Sequence, residues 1–325
     1  MKAVLCKSLG GPSALEVDEI ASPTPAPGEV IVKVRAVALN FFDILITQGK
    51  YQNKPELPFS PGGEIAGEIS ALGSDVTGFK IGDRVAAYIG WGGAREQVAV
   101  SVDQLVAIPD GVTDEVAASA TITYGTAMHG LLDRGELKPG ARVAVIGAAG
   151  GAGLAAVEIA KLNGGEVVAV ASSDEKLSIA KKHGADHLVK SDPETLKTDL
   201  REATNGLGVD LVYDCVGGAL SEPALRAMTW GGRFLVVGFA SGEIPRLPAN
   251  LLLVKGVSMV GVFWGKAVEH DPAAHLANMT RLFTDIAEDR LKPRIHGVYP
   301  LSDIVPALQI LEQRQAVGKV VISVS

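Results

Sequence analysis

VAVIGAAGGAGLAAVEIAKLNGGEVVAVASS, residues 143–173, is the most informative stretch of the chain. Apolar residues run up to Gly147, and Ala148, Gly150 and Gly153 then fall on the spacing of a dinucleotide fingerprint. An apolar helical pattern follows from Leu154 to Leu162, and a Val-rich segment, Val167–Val170, closes the unit. Between a strand and a helix each small residue has a mechanical task. The turn has to be tight, the backbone has to approach a pyrophosphate, and the helix has to pack on the strand. Unpaired N–H groups and the dipole at the helix start then face the phosphates. Ala148 stands where the first glycine would be, which requires a turn that keeps φ negative there. A turn that binds nothing would not need Gly150, Gly151 and Gly153 together. The stretch reads as a nucleotide site, with Gly150, Gly151 and Ala152 at the phosphates.

Downstream the same alternation continues: strand 143–146, helix 151–163, strand 166–171, helix 174–182, and a short strand at 187–189. Helix 193–204, strand 209–214, helix 219–229, and strands 232–238 and 257–262 complete it. Repeated β–α–β order implies an α/β fold with a doubly wound parallel sheet, its ligand at the carboxyl ends of the strands. Upstream, residues 1–110 hold short alternating segments such as EVIVKVRAVAL, GGEIAGEISALG and EQVAVS, separated by Gly and Pro. That spacing predicts an all-β, partly closed sheet. Helical patterning starts near Asp114 and runs through Leu132. After Trp264, DPAAHLANMTRLFTDIAEDRL predicts an amphipathic helix capped by Asp271 with Pro272 next. SDIVPALQILEQ and GKVVISVS add a helix and a strand that return to the first domain. The expected domains are therefore 1–122 with 266–325, and 123–265 as an insertion.

Composition narrows the class. At 47% hydrophobic, the chain has no apolar run of membrane-span length, and MKAVLCKSLGG is too short and too weakly apolar for a signal peptide. Cys6 and Cys215 are far apart in sequence, so a reducing cytoplasm is the expected location. A net charge of −7 argues against nucleic acid as a partner.

Seven segments together carry a family resemblance: NFFDILITQGKY (40–51), LPFSPGGEIAGEISALG (57–73), GDRV (82–85), TYGTA (123–127), AAGGAG (148–153), HGAD (183–186) and NLLLVKGVSMVGVFWG (250–265). Over nearly its whole length the chain resembles the zinc-independent quinone oxidoreductase (zeta-crystallin-like) branch of the medium-chain dehydrogenase/reductase superfamily. The resemblance implies a GroES-like β-rich catalytic domain, a Rossmann cofactor domain and a dinucleotide in the cleft between them. It further implies a homodimer joined through residues 250–262, where Gly256–Gly261 reads as an uncharged edge strand.

Zinc-dependent relatives would place a Cys near Asn40 and a His just before Glu64, where this chain has Asn40 and Gly63. A catalytic zinc needs about three converging ligands, so no metal is expected. Glu64 reads as a partner for a backbone group or an arginine. At the end of the second strand an NAD site usually carries a carboxylate, and this chain has Ser172 and Ser173. Lys176, one turn on, could reach a 2′-phosphate, and in the family this lysine and the residue matched by Ser172 do so. NADPH is the expected cofactor. Asp174 and Glu175 could bind a ribose or simply suit the helix dipole, and Ser191 stands where some relatives add a tyrosine to the phosphate site. By the resemblance, Asn40 and Tyr51 lie beside nicotinamide and substrate, Tyr51 as donor to a developing oxyanion and Asn40 fixing the acceptor. Local structure explains them equally well, as a strand-end residue and a rim aromatic. Thr126 matches a residue near the nicotinamide ribose. Gly238 and Phe239 should end the fifth strand, and Phe263 and Trp264 the sixth, at the nicotinamide; the two last could equally be core. Lys319 matches a basic residue on the diphosphate side, or is a solvated lysine.

The expected activity is hydride transfer to a small quinone or an α,β-unsaturated carbonyl. An enoyl thioester reductase is the alternative, since GKYQNKP around Tyr51 resembles that branch too and Lys50 and Lys54 flank the tyrosine. A non-catalytic role, structural or RNA-binding as in some zeta-crystallin-like proteins, is the alternative of another class. The acidic charge and the nucleotide fingerprint speak against it.

Overall fold

A computed structural model describes residues 1–324 of the chain. Two compact units form. The first holds Met1–Ile122, Ala267–Asp289 and the chain from Pro293 onward; the second holds Thr123–Lys266 and Arg290–Lys292. Each has an apolar core of its own.

The first unit begins with a hairpin, β1 (Lys2–Cys6) and β2 (Leu15–Glu19), followed by the long strand β3 (Glu29–Leu39). Then come helix α1 (Phe41–Thr47) and strands β4 (Glu64–Leu72), β5 (Arg84–Tyr88), β6 (Gln97–Ser101) and β7 (Leu105–Ala107). Helix α2 (Asp114–Met128) leads out of it and ends in a π-helical turn, His129–Arg134. β3 organises the sheet. Its first half pairs with β6 and its second half with the C-terminal strand, while β4 follows it along nearly its whole length. Register shifts at Ile31/Val32 and Val34/Ala36 bend it between those partners. The segment 40–47 carried no helical expectation. It is helical because Asn40 and Asp43 close a capping box, each side chain bonding to the other's backbone.

The second unit runs β8 (Arg142–Ile146), α3 (Gly151–Leu162), β9 (Glu166–Ala171), α4 (Asp174–Lys182), β10 (His187–Lys190) and α5 (Leu196–Ala203). It continues with β11 (Val209–Asp214), α6 (Ser221–Ala227), β12 (Met228–Val236), α7 (Ala249–Lys255) and β13 (Ser258–Gly261), and reaches α8 (Trp264–His270), which from Ala267 on belongs to the first unit. All six strands are parallel in the order β10-β9-β8-β11-β12-β13. The chain turns back between β8 and β11, the doubly wound pattern that places ligands at strand carboxyl ends. β12 starts at Met228 rather than 232, with Gly231 at φ 74° and a register shift against β11. Both late strands also end earlier than expected, at Val236 and Gly261. Gly238, Phe239 and Phe263 therefore lie beyond the strands, and Trp264 opens α8.

From Ala267 the chain runs again in the first unit. In α9 (Pro272–Ala287) the Asp271 side chain accepts from Ala274 N at 2.9 Å with Pro272 in the first turn. β14 (Ile295–Pro300), a strand not expected, precedes α10 (Ile304–Glu312) and β15 (Lys319–Ser323), and β15 pairs antiparallel with β3. Ser325, the last residue of the expected tail strand, lies outside the described residues.

Candidate active site

In the second unit β8 delivers the chain to Gly147, whose φ of 81° makes the tight turn. Ala148 needs no positive φ, because the left-handed residue is Gly147. Gly147 and Ala148 both donate to Val170 O, at 3.0 and 3.1 Å, which ties the turn to β9. Gly150 is the N-cap of α3 and offers no side-chain cap to the first-turn N–H groups, including those of Gly151 and Ala152. At Gly153 a Cβ would fall on the Gly147 carbonyl oxygen, so only glycine lets α3 start this close to β8. The cradle fits the diphosphate of a dinucleotide.

Ser172 is exposed at the end of β9, and Ser173 caps α4 by accepting from Lys176 N at 3.3 Å. Lys176 lies half-buried in the first turn. Asp174 is paired with Lys190 at 3.0 Å, a second cation near the serines that the sequence reading missed. At the end of β11, buried Asp214 accepts from Val216 N, Gly217 N and Ser221 Oγ and shapes a loop in which Gly217 takes φ 70°. Gly238 donates to Asp214 O at 3.2 Å, and Phe239 packs over Gly217. Thr126 is half-buried on α2. Phe263 is 46% exposed and available to a ligand. Trp264 is not: its ring is buried against Gly125, where a Cβ would meet Cζ2 at 2.6 Å, so the core alternative holds for it.

The first unit gathers a polar cluster where β3 gives way to α1. Glu64, fully buried on β4, accepts from Asn40 Nδ2 at 2.9 Å, Lys319 Nζ at 2.7 Å and Ile122 N at 2.6 Å. Its role as a structural partner stands, with a lysine in the place of an arginine. Asp43, also fully buried, accepts from Asn40 N at 2.7 Å and Gly62 N at 2.9 Å. Burial pushes its carboxyl up to about 7, against the two N–H bonds and the Lys319 charge; Glu64 adds to the rise. Asp43 was not singled out in the sequence.

Lys319 requires a correction. It is buried, and its ammonium donates to Leu39 O at 3.0 Å, Asn40 Oδ1 at 2.6 Å and Glu64 Oε1 at 2.7 Å. An ammonium has three donors, so none is left for solvent or a diphosphate. Asn40 is likewise engaged, as helix cap and as donor to Glu64 and, at 3.4 Å, to Ala38 O.

Tyr51 stacks on Phe42, ring centroids 5.4 Å apart. Burial, with Asp43 adding, holds its phenol above the usual tyrosine value, so it stays protonated across neutral pH and can donate. A second phenol, Tyr88, sits opposite Glu64 in the β4–β5 register and is pushed up to about 12, first by burial and then by Tyr51, Glu269, Glu64 and Asp43. Only the register of β5 against β4 would have found it. Gln48 donates to Glu312 at 3.4 Å.

The sequence matches the zinc-binding dehydrogenase family over residues 151–281 and the alcohol dehydrogenase GroES-like domain over 26–110. It is 40% identical over 324 residues to a quinone oxidoreductase-like protein 2 homolog of Nematostella vectensis, covering 99% of this chain and 88% of that one. The fold superposes on the Escherichia coli quinone oxidoreductase complexed with NADPH with a TM-score of 0.93 at 28% identity, over 99% of this chain and 100% of that one. On the CurK enoyl reductase the TM-score is 0.90 at 29% identity, over 100% and 99% of the two chains.

The first family's description implies zinc, and the residues do not fit it. At position 63 a Cβ would meet Phe42 Cζ at 2.6 Å and Gly90 O at 2.7 Å, so the backbone admits no liganding side chain. Among the described residues no three His, Cys, Asp or Glu side chains form a metal set. Fold, glycine turn and relatives agree: the chain belongs to the medium-chain dehydrogenase/reductase superfamily, in its quinone oxidoreductase-like branch.

Proposed function

We propose that this chain is an NADPH-dependent, zinc-independent reductase that passes a hydride to a quinone or an α,β-unsaturated carbonyl. The observation that carries the reading is the bare glycine turn of β8–α3 together with a β9 end that offers Ser172, Ser173 and Lys176 in place of a carboxylate. Gly150, Gly151 and Ala152 would hold the diphosphate, and the two serines with Lys176 the 2′-phosphate. Thr126, Gly238, Phe239 and Phe263 would border the nicotinamide. When bound, NADPH supplies the hydride. Tyr51 donates a hydrogen bond, or its proton, to the acceptor oxygen on which charge develops, and solvent restores that proton. Asn40 serves as the cap that fixes α1. A cytoplasmic location is part of the reading; no helix among the described residues is long and apolar enough to cross a membrane.

An enoyl thioester acceptor is the second reading, favoured by the likeness to the CurK enoyl reductase and by exposed Lys50 and Lys54 around Tyr51. NADPH oxidation measured with 1,4-benzoquinone, crotonyl-CoA and a simple alkenal separates the two. Turnover of benzoquinone or the alkenal well above crotonyl-CoA is expected; the reverse order selects the thioester. No turnover with any of them would return the non-catalytic alternative. For the cofactor, Lys176→Ala should reduce the preference for NADPH over NADH about ten-fold or more, since a charge-assisted contact contributes about 1.5–3 kcal/mol. Equal affinities in the unmutated protein would sink that assignment.

A further inference from the structure

We propose that Lys319 is a positioning residue for the reduction: its ammonium, held by Glu64, fixes Asn40 at the head of α1 and through Phe42 sets the place of Tyr51. Each link is a contact in the first unit. Lys319 Nζ lies 2.6 Å from Asn40 Oδ1 and 2.7 Å from Glu64 Oε1, and the same Glu64 oxygen receives Asn40 Nδ2 at 2.9 Å. The Asn40 amide is thus gripped at both ends by an ion pair. Asn40 caps α1, whose second residue, Phe42, carries the stacked ring of Tyr51. Phe42 has little freedom, because Gly63 leaves room for its ring tip and nothing more.

The charge balance explains why a cation is needed there. Glu64, fully buried on β4, forms an ion pair with the one buried ammonium from β15, and the carboxyl of Asp43 on α1, also fully buried and raised to about 7, lies close enough to feel both charges. Asp43 in turn acts on the phenol of Tyr51, and Tyr51, Glu269, Glu64 and Asp43 all act on that of Tyr88. A buried carboxylate without a cation is costly, so removing the ammonium drives Glu64 to pull away from Asn40. Lys319 touches no reacting atom in this scheme. It also does not hold the dinucleotide, since all three of its donors are in use.

Lys319→Met and Lys319→Arg distinguish the possibilities. The kinetic arm rests on the reductase reading and uses 1,4-benzoquinone; fluorescence titration gives the Kd for NADPH, and hydrogen exchange reports on α1 without any turnover. Lys319→Met should leave the NADPH Kd within about two-fold, lower kcat about ten- to a hundred-fold, and speed exchange of the amides of residues 41–47 while those of α3 keep their rates. Lys319→Arg should recover most of kcat. Glu64→Gln keeps the shape and neutralises the pair; it should give the same faster exchange to a smaller degree and serves if Lys319→Met fails to fold. A rise in NADPH Kd of about ten-fold or more would make Lys319 a diphosphate ligand and overturn the proposal. So would unchanged exchange in α1. If the unmutated protein reduces no acceptor, the reductase reading fails, and the exchange arm still decides whether Lys319 orders α1.

Discussion

Asp43 is where burial and hydrogen bonding oppose each other most strongly. Its carboxyl is fully buried and raised from 3.8 to about 7, although Gly62 and Asn40 both donate to it. The folded state therefore holds a proton that the unfolded chain releases above the ordinary carboxylate range. Stability from this group is fully present below the unfolded value and is lost as pH rises through the folded one. Relative to Asp43→Asn, the unfolding free energy of the unmutated protein should fall by about 3 kcal/mol from about pH 5 to about pH 8. Urea melts of both proteins at several pH values check this, and parallel curves would show that Asp43 is ionised in the folded protein at acid pH. The residue escaped the sequence reading because a capping aspartate in NFFD looks like any other. Lys319 was misplaced for a different reason: its partners Asn40 and Glu64 stand 279 and 255 positions away, and nothing in GKVVISVS announces them.

Local spacing was easier to read than these long-range pairings. The β8–turn–α3 element was legible because its constraints lie within seven residues, Gly147 to Gly153. The doubly wound order likewise followed from the alternation of strands and helices. Short α1 and α7 went unread, since seven residues hold barely two turns of periodicity. Gly231 blurred the start of β12. Two substitutions separate the roles within the turn. Gly153→Ala would press a Cβ into the Gly147 carbonyl, and overpacking of that kind costs about 1–3 kcal/mol and pushes α3 off β8. A lowered melting temperature and NADPH binding weakened about ten-fold or more are expected. Gly150, at φ −75° with the nearest atom 3.6 Å from a built Cβ, has room. Gly150→Ala should keep stability within about 1 kcal/mol and lose affinity alone. Equal stability of the two variants would mean that the close approach at Gly153 is not needed for packing.

For the molecule as a whole, the six-stranded sheet has two edges of different character. β10 has polar ends: His187 bonds Glu166 at 2.7 Å, and Lys190 pairs with Asp174. Such an edge discourages pairing with another chain. β13 reads Ser-Met-Val-Gly, with no charge, and pairs only with β12 among the described residues. Around it Met259, Trp230, Leu253 and Val254 are 44%, 77%, 80% and 62% exposed. Apolar side chains beside an open strand edge mark an association surface more often than free surface. A two-fold axis at β13 would join two such sheets edge to edge and bury the same patch on both copies. We therefore predict a homodimer through residues 250–262. Light scattering at micromolar concentration should return twice the chain mass, and Met259→Lys, which places two like charges across the axis, should shift it toward the single chain. A monomer in the unmutated protein removes the prediction, whereas a dimer indifferent to Met259→Lys moves the interface away from β13.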